Sequence, residues 1–179
     1  MVKLKNWWKY IKEWCLLLLG AYDRYGHLSR QLPPKRVIFV CKGNVCRSVY
    51  AERYLKQRLL PGDTSINVIS CGLATDGGIP ANEVGTQVAR ERGIDLTGHA
   101  SQKVQDLTLS AEDLLVVMEP YMVPALTKTC GASVIILGML GNDRRPSIAD
   151  PYGEPEAAFR SVFSIIEHKV DLLHKQLFS

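Results

Sequence analysis

Cys41-Lys42-Gly43-Asn44-Val45-Cys46-Arg47-Ser48 is the stretch of this sequence best suited to chemistry, a cysteine and an arginine with five residues between them. A run of this length can curl so that its backbone N–H groups point inward and form a cup for the oxygens of a phosphate. Gly43 and Asn44 are residue types that accept left-handed backbone, which such a cup needs. Arg47 can close the cup with a planar fork that binds two phosphate oxygens at once. Cys41 then sits at the base, facing a helix N-terminus and a guanidinium, both of which favour the nucleophilic thiolate. Ser48 can donate to that sulfur and steady it as a leaving group. Cleaving an aryl phosphate also needs an acid: a phenol ionises only near pH ~10, and a positioned proton donor contributes ~10²–10⁴ in rate. Asp150, in Asp150-Pro151-Tyr152-Gly153, is the candidate. Pro151 stiffens its position, and Tyr152 offers an aromatic wall to a substrate ring.

Cysteine–arginine pairs at this spacing and Asp-Pro turns both occur by chance, so their place in the chain decides. Val37–Val40 reads as a buried strand running straight into Cys41, and Val49–Leu60 as a helix leaving the loop, stopped by Pro61-Gly62. Ile66–Ile69, Leu114–Val117 and Val134–Leu137 read as three further strands. Ala81–Arg92, stopped by Gly93, the stretch around Tyr121–Thr127, and a last segment ending near Leu177 read as helices. This alternation predicts an α/β fold of three layers, a four-stranded parallel sheet flanked by helices. Ligands of such sheets bind beyond the carboxyl ends of the strands. The Cys41 loop lies there, and so does the long loop Gly138–Pro155 that carries Asp150. A Walker-type phosphate loop is absent from the sequence. Cys41 and Cys46 lack a second Cys/His pair at ligand spacing, and His27, His99, His168 and His174 are scattered, so no metal and no cofactor is expected.

The bulk properties set bounds. At 179 residues, 46% hydrophobic and 22% charged, the chain suits one globular domain with a real core. Residues 1–36 hold eight Lys/Arg against Glu13 and Asp23, a net +6, so the remainder carries −2 of the total +4. A mildly acidic domain argues against nucleic-acid binding. Five cysteines in no repeating framework point to a reducing compartment. No apolar run approaches the ~20 residues of a membrane span. The start of the chain also lacks a clean cleavage signal, so secretion is not expected.

Val37–Ser48 together with Asp150–Gly153 resembles the low-molecular-weight protein tyrosine phosphatase family. Ser70-Cys71-Gly72-Leu73, Gly93-Ile94-Asp95-Leu96 and His99 extend the likeness, which covers residues 37–179. The wording of Val116–Glu119 and Ser70–Leu73 leans to the bacterial branch. The resemblance implies a phosphoryl-cysteine intermediate on Cys41, phosphate binding by Arg47, and Asp150 as acid and then base. Lys42, Gly43, Asn44, Val45, Cys46 and Ser48 would surround the substrate phosphate, with Tyr152 at the rim. Asn44, Ser48, Ser70 and His99 would hold the loop in shape, and Glu119 occupies the place of an acidic residue near the general acid. Implied partners are phosphotyrosine proteins, in particular a bacterial tyrosine kinase of polysaccharide export, in the cytoplasm. Four features depart from the pattern: Lys42 after the nucleophile, Cys71, the small-residue loop Ala74–Gly78, and Ala100-Ser101-Gln102 in place of a basic residue. Two activities on the same fold compete. Arsenate reduction needs two relay cysteines, and only Cys71 and Cys130 lie downstream. Phosphoarginine hydrolysis is disfavoured by Val45, where relatives of that selectivity look to carry threonine. An idle phosphoprotein-binding adaptor would be expected to lose Cys41 or Asp150. Cys46 either forms a protective disulfide with Cys41 or simply fills space.

Residues 1–36 fall outside the resemblance. At about 100° per residue, Leu4, Trp7, Trp8, Ile11, Trp14, Cys15 and Leu18 share one helix face, and Lys5, Asn6, Lys9, Lys12 and Glu13 the other. This predicts an N-terminal amphipathic helix, with a linker from Ala21 to Arg36. Tryptophans flanked by lysines suit a peripheral contact of residues 3–19 with the inner face of the membrane. Packing on the protein's own domain or on a second subunit is the competing expectation.

Overall fold

Uninterrupted apolar runs become the inner strands because a parallel sheet covered on both faces has no wet side. In the computed structural model, which describes residues 7–28, 34–60, 65–127 and 131–178, β1 (Arg36–Cys41) and β3 (Asp113–Val117) are those strands. β2 (Asn67–Gly72) and β4 (Ser133–Ile136) flank them, all parallel, in the order β2-β1-β3-β4. Lys3, Leu4, Lys5, Asn6, Pro33, the Pro61-Gly62 stop and Cys130 lie outside the described residues, as does the side chain of Trp7.

The helices are α1 (Trp7–Leu18), α2 (Arg47–Arg58), α3 (Glu83–Glu91), the short α4 (Val123–Leu126) and α5 (Glu156–Leu177). α2 packs along α5, where the Tyr50 ring stacks on Phe163 with centroids 3.7 Å apart. α3 comes close to α5 at Gly85, where a Cβ would stand 3.0 Å from the Phe159 ring. The order reverses direction between β1 and β3, and the crevice at such a switch point is the binding place of open α/β sheets.

Several boundaries differ from the sequence reading, three of them for a local reason. β1 begins at Arg36, whose guanidinium pairs with Asp113 across the sheet at 2.8 and 2.7 Å. α2 begins at Arg47, two residues before Val49, because the helix grows directly out of the cysteine loop. Leu137 does not belong to β4: the strand ends at Ile136 and the chain turns through Leu137–Met139. A Cβ at Gly138 in that turn would strike the Arg145 carbonyl, so glycine permits the reversal. Buried Lys169 of α5 ties the next stretch down, donating to the Leu140 carbonyl at 2.6 Å and to Asp143 at 2.7 Å.

Residues 21–28 of the predicted linker pack on the domain. Tyr22, Tyr25 and Leu28 lie against the core, and Asp23 pairs with Arg144 at 2.7 Å. α1 also packs on its own domain, but with the unexpected side. Glu13 is buried, Leu17 packs against the core and Lys9 reaches Glu119, while Trp8 (73% exposed), Trp14 (53%) and Leu18 (82%) stay largely exposed. Among the described residues no helix is long and apolar enough to cross a membrane.

Candidate active site

The loop after β1 is folded by backbone ties to the end of β2. Leu73 N donates to Cys41 O at 3.0 Å and Ala74 N to Lys42 O at 2.8 Å. Gly72 makes this approach feasible, since a Cβ there would lie 2.9 Å from the Lys42 carbonyl oxygen. Asn44 turns the loop with φ 55°, the one left-handed non-glycine residue among those described. Gly43 does not share that conformation, contrary to the sequence expectation: one left-handed residue suffices to close the cup.

That turn aims the Asn44 N–H at Cys41 Sγ, 3.2 Å away, and Ser48 Oγ stands 3.0 Å from the same sulfur. Asn44 Nδ2 donates to Ser48 Oγ at 2.9 Å, which leaves the serine hydrogen for Cys41, with the Cys71 carbonyl the more distant acceptor at 3.5 Å. Two donors thus converge on the sulfur and support negative charge there. The same Nδ2 donates to Ser70 Oγ at 2.8 Å, Ser70 Oγ donates to Glu52 Oε2 at 2.6 Å, and Asn44 Oδ1 accepts from Gln102 N at 2.9 Å. His99 Nε2 lies 2.6 Å from the Asn44 carbonyl oxygen. Burial is the main reason the imidazole is held below its usual value, so at neutral pH it is uncharged and Nε2–H donates. Asn44, Ser48, Ser70 and His99 therefore form one network around the left-handed residue.

Arg47 is the first residue of α2 and almost wholly buried, at 1% exposure. Its Nη1 donates to Glu119 Oε1 at 2.7 Å and to the Ile148 carbonyl at 2.8 Å. Nη2 lies 2.7 Å from Asp150 Oδ2, close enough for ion pairing but without hydrogen-bond alignment. Nε and Nη2 have no hydrogen-bond partner among the described residues, and these two neighbouring donors form an open edge whose geometry suits a bidentate oxyanion. Burial works against the guanidinium charge, but the Cys41 sulfur, Asp150 and Glu119 outweigh it and hold Arg47 cationic.

Asp150 is delivered by a loop pinned to the sheet. Ile148 N donates to Met118 O at 2.9 Å, and Pro151 behind the acid is buried. Tyr152 and Lys42 are exposed, and Val45 is half-buried. Cys46 is buried as the N-cap of α2, and burial, with Asp150 and Cys41 adding, pushes its thiol up to about 12. Cys71 is fully buried, its thiol likewise pushed up to about 12 by burial.

Sequence reasoning passed over four contributors. Glu52 is one helical turn beyond Ser48, a signal available once the phase of α2 is known. Gln102 acts through its backbone N–H and Ile148 through its carbonyl, and side-chain type announces neither. Lys9 is 110 positions from its partner Glu119, with nothing local to connect them.

Compared with known proteins, residues 36–179 match the family model described as low molecular weight phosphotyrosine protein phosphatase. A probable low molecular weight protein-tyrosine-phosphatase, EpsP of Ralstonia nicotianae, is 33% identical over 137 residues, 76% of this chain and 92% of that protein. Etp of Escherichia coli, a low molecular weight protein-tyrosine-phosphatase, is 31% identical over 140 residues, 76% of this chain and 90% of its own. Among solved structures, the Erwinia amylovora tyrosine phosphatase AmsI superposes with TM-score 0.71 at 28% identity, covering 86% of this chain and 99% of that one. The YwlE arginine phosphatase from Geobacillus stearothermophilus superposes with TM-score 0.66 at 27% identity, covering 80% and 93%.

Proposed function

The chain belongs to the low molecular weight protein-tyrosine-phosphatase family, and from that premise we propose that it hydrolyses phosphotyrosine in proteins through a phosphoryl-cysteine intermediate. One observation carries the reading: Cys41 Sγ, the open edge of Arg47 and the Asp150 carboxyl converge on one loop. Cys41 sulfur attacks phosphorus, the bond to the tyrosine oxygen breaks, and protonated Asp150 gives that oxygen its proton. Water then attacks phosphorus, Asp150 takes its proton, and the phosphorus–sulfur bond breaks as the thiolate leaves with Ser48 and the Asn44 N–H donating to it. Arg47 and the loop amides carry the negative charge of the three phosphoryl oxygens through both steps.

With exposed Tyr152 and half-buried Val45 assigned to the mouth, a flat phenyl ring is favoured over a guanidine. Cys71, buried and protonated, is the wrong kind of thiol for an arsenate-reducing relay. Likeness to the bacterial branch supports a tyrosine kinase of polysaccharide export as substrate and the cytoplasm as location. The outward apolar face of α1 supports contact of the N-terminal segment, residues 3–19, with the inner face of the membrane. Turnover of phosphotyrosine, phosphoarginine and phosphoserine peptides of one sequence tests the substrate assignment. Phosphotyrosine should be hydrolysed well ahead of the other two, and Cys41→Ser should abolish it. Preference for phosphoarginine would overturn the reading in favour of the YwlE-like activity.

A further inference from the structure

α1 lies outside the residues that match the family, yet it reaches the catalytic arginine. Lys9 Nζ meets Glu119 Oε2, and Glu119 Oε1 takes the Arg47 Nη1 hydrogen bond at 2.7 Å. Glu13, one turn further along α1, is 4.0 Å from Lys9 Nζ, and the ammonium stands 5.6 Å from the centre of the Tyr121 ring. An amphipathic helix ordinarily buries its apolar face. α1 instead turns Glu13 and Lys9 toward the domain beside Leu17, which packs against the core, and leaves Trp8, Trp14 and Leu18 largely exposed, so a charged contact accompanies the apolar one where it docks.

We infer that Lys9 is a positioning residue for the phosphatase reaction, holding the second oxygen of Glu119 and thereby fixing the carboxylate that aims Arg47 at the phosphate. The inference rests on Arg47 being the phosphate ligand. A glutamate carboxyl rotates readily about its last torsion, where the energy wells are broad. With Arg47 on one oxygen alone, that rotation swings the acceptor away from Nη1. With a cation on each oxygen the plane is set, and Arg47 Nε and Nη2 are set with it. Charge acts in the same direction. Burial by itself pushes the Glu119 carboxyl up, but Arg47 and then Lys9 hold it below its ordinary value, so it stays an ionised acceptor. The charged and titratable groups around it are Arg47 from α2, Lys9 with Glu13 and Tyr10 from α1, Tyr121 from the turn after β3, and Asp150.

The test uses the full chain and two readouts. One is binding of inorganic phosphate by titration calorimetry, which needs no turnover; the other is kcat/KM on an aryl phosphate across pH. Lys9→Met should weaken phosphate binding and lower kcat/KM, each by roughly 3- to 10-fold, the scale of a partly exposed ion pair supporting a binding group. It should also move the acid limb of kcat/KM to higher pH, because a Glu119 without the Lys9 charge takes up its proton sooner as pH falls. Lys9→Arg should restore both, and Lys12→Met, an exposed lysine of the same helix, should behave as wild type. Unchanged phosphate affinity and an unmoved acid limb in Lys9→Met would overturn the inference. So would a loss that Lys9→Arg does not restore and that leaves the acid limb in place, the mark of a helix that only props the fold. Cys41→Ser, run alongside, separates the two levels: it should bind phosphate and turn nothing over. Turnover by that variant would overturn the site assignment, and the Lys9 inference with it.

Discussion

Arg47 spends its donors in two directions, and that division explains why two carboxylates stand beside it. Nη1 is committed to Glu119 and the Ile148 carbonyl, which fix the plane of the guanidinium; Nε and Nη2 remain for the phosphate in the proposed reaction. Asp150 lies near Nη2 without being aligned to it, so phosphate can take that donor while the acid stays within reach of the leaving oxygen. Glu119 is buried and held ionised, whereas Asp150 is about one-third exposed, which suits the acid and base role proposed for it. The roles are therefore separable by leaving group. Asp150→Ala should slow phenyl phosphate by ~10²–10⁴, because phenolate must then leave unprotonated. p-Nitrophenyl phosphate, whose leaving group needs little protonation, should lose far less. Parallel kcat measurements on the two esters check this, and equal losses would remove Asp150 from the acid role.

The loop Cys41–Arg47, together with the segment that braces it, is the working element. Its shape was legible because its determinants are local: the strand before it, the asparagine that turns it and the helix after it are contiguous in sequence. The four strands were legible for the same kind of reason, since buried parallel strands are apolar without interruption. What escaped reading was long-range. The left-handed turn fell on Asn44 and not also on Gly43, because Asn44 alone has a side chain that Ser48, Ser70 and Gln102 complete. The face by which α1 docks was unreadable for a related cause. Periodicity shows which side of a helix is apolar, not which side finds a complement 110 residues away. The loop's second cysteine carries its own prediction. Peroxide converts the Cys41 thiolate to a sulfenic acid, and attack by the Cys46 sulfur then gives a disulfide and water. Burial keeps Cys46 largely protonated, with its thiol near 12, so that closure should be slow. Oxidation of Cys41 removes one of the charges that push Cys46 up, which helps the step once it is needed. Wild type inactivated by peroxide should recover activity with a dithiol reductant more fully than Cys46→Ser; equal recovery rules the disulfide out.

At the scale of the whole molecule, charge and apolar surface are both displaced toward the N-terminus. Residues 1–36 carry +6 on a chain whose remainder is −2, and α1 turns a tryptophan- and leucine-bearing face away from the protein. A monomer in water gains little from the exposed part of such a face, because apolar area is worth ~25 cal/mol per Å² only where it is buried. An anionic membrane surface meets both features. Tryptophan rings settle at headgroup depth, and each lysine near the surface adds about 1 kcal/mol of attraction that salt screens. The protein should therefore sediment with vesicles containing phosphatidylserine, shift its tryptophan emission to the blue, and lose both effects progressively as salt rises. Trp8→Ala/Trp14→Ala/Leu18→Ala in the full chain should weaken sedimentation several-fold while leaving the Lys9–Glu119 contact untouched, so turnover of a soluble aryl phosphate should hold. A second copy of the chain could cover the same face, and ultracentrifugation separates that outcome. If the wild type is a dimer that this triple variant dissociates, and neither protein sediments with vesicles, the face is a subunit contact and the membrane assignment is wrong.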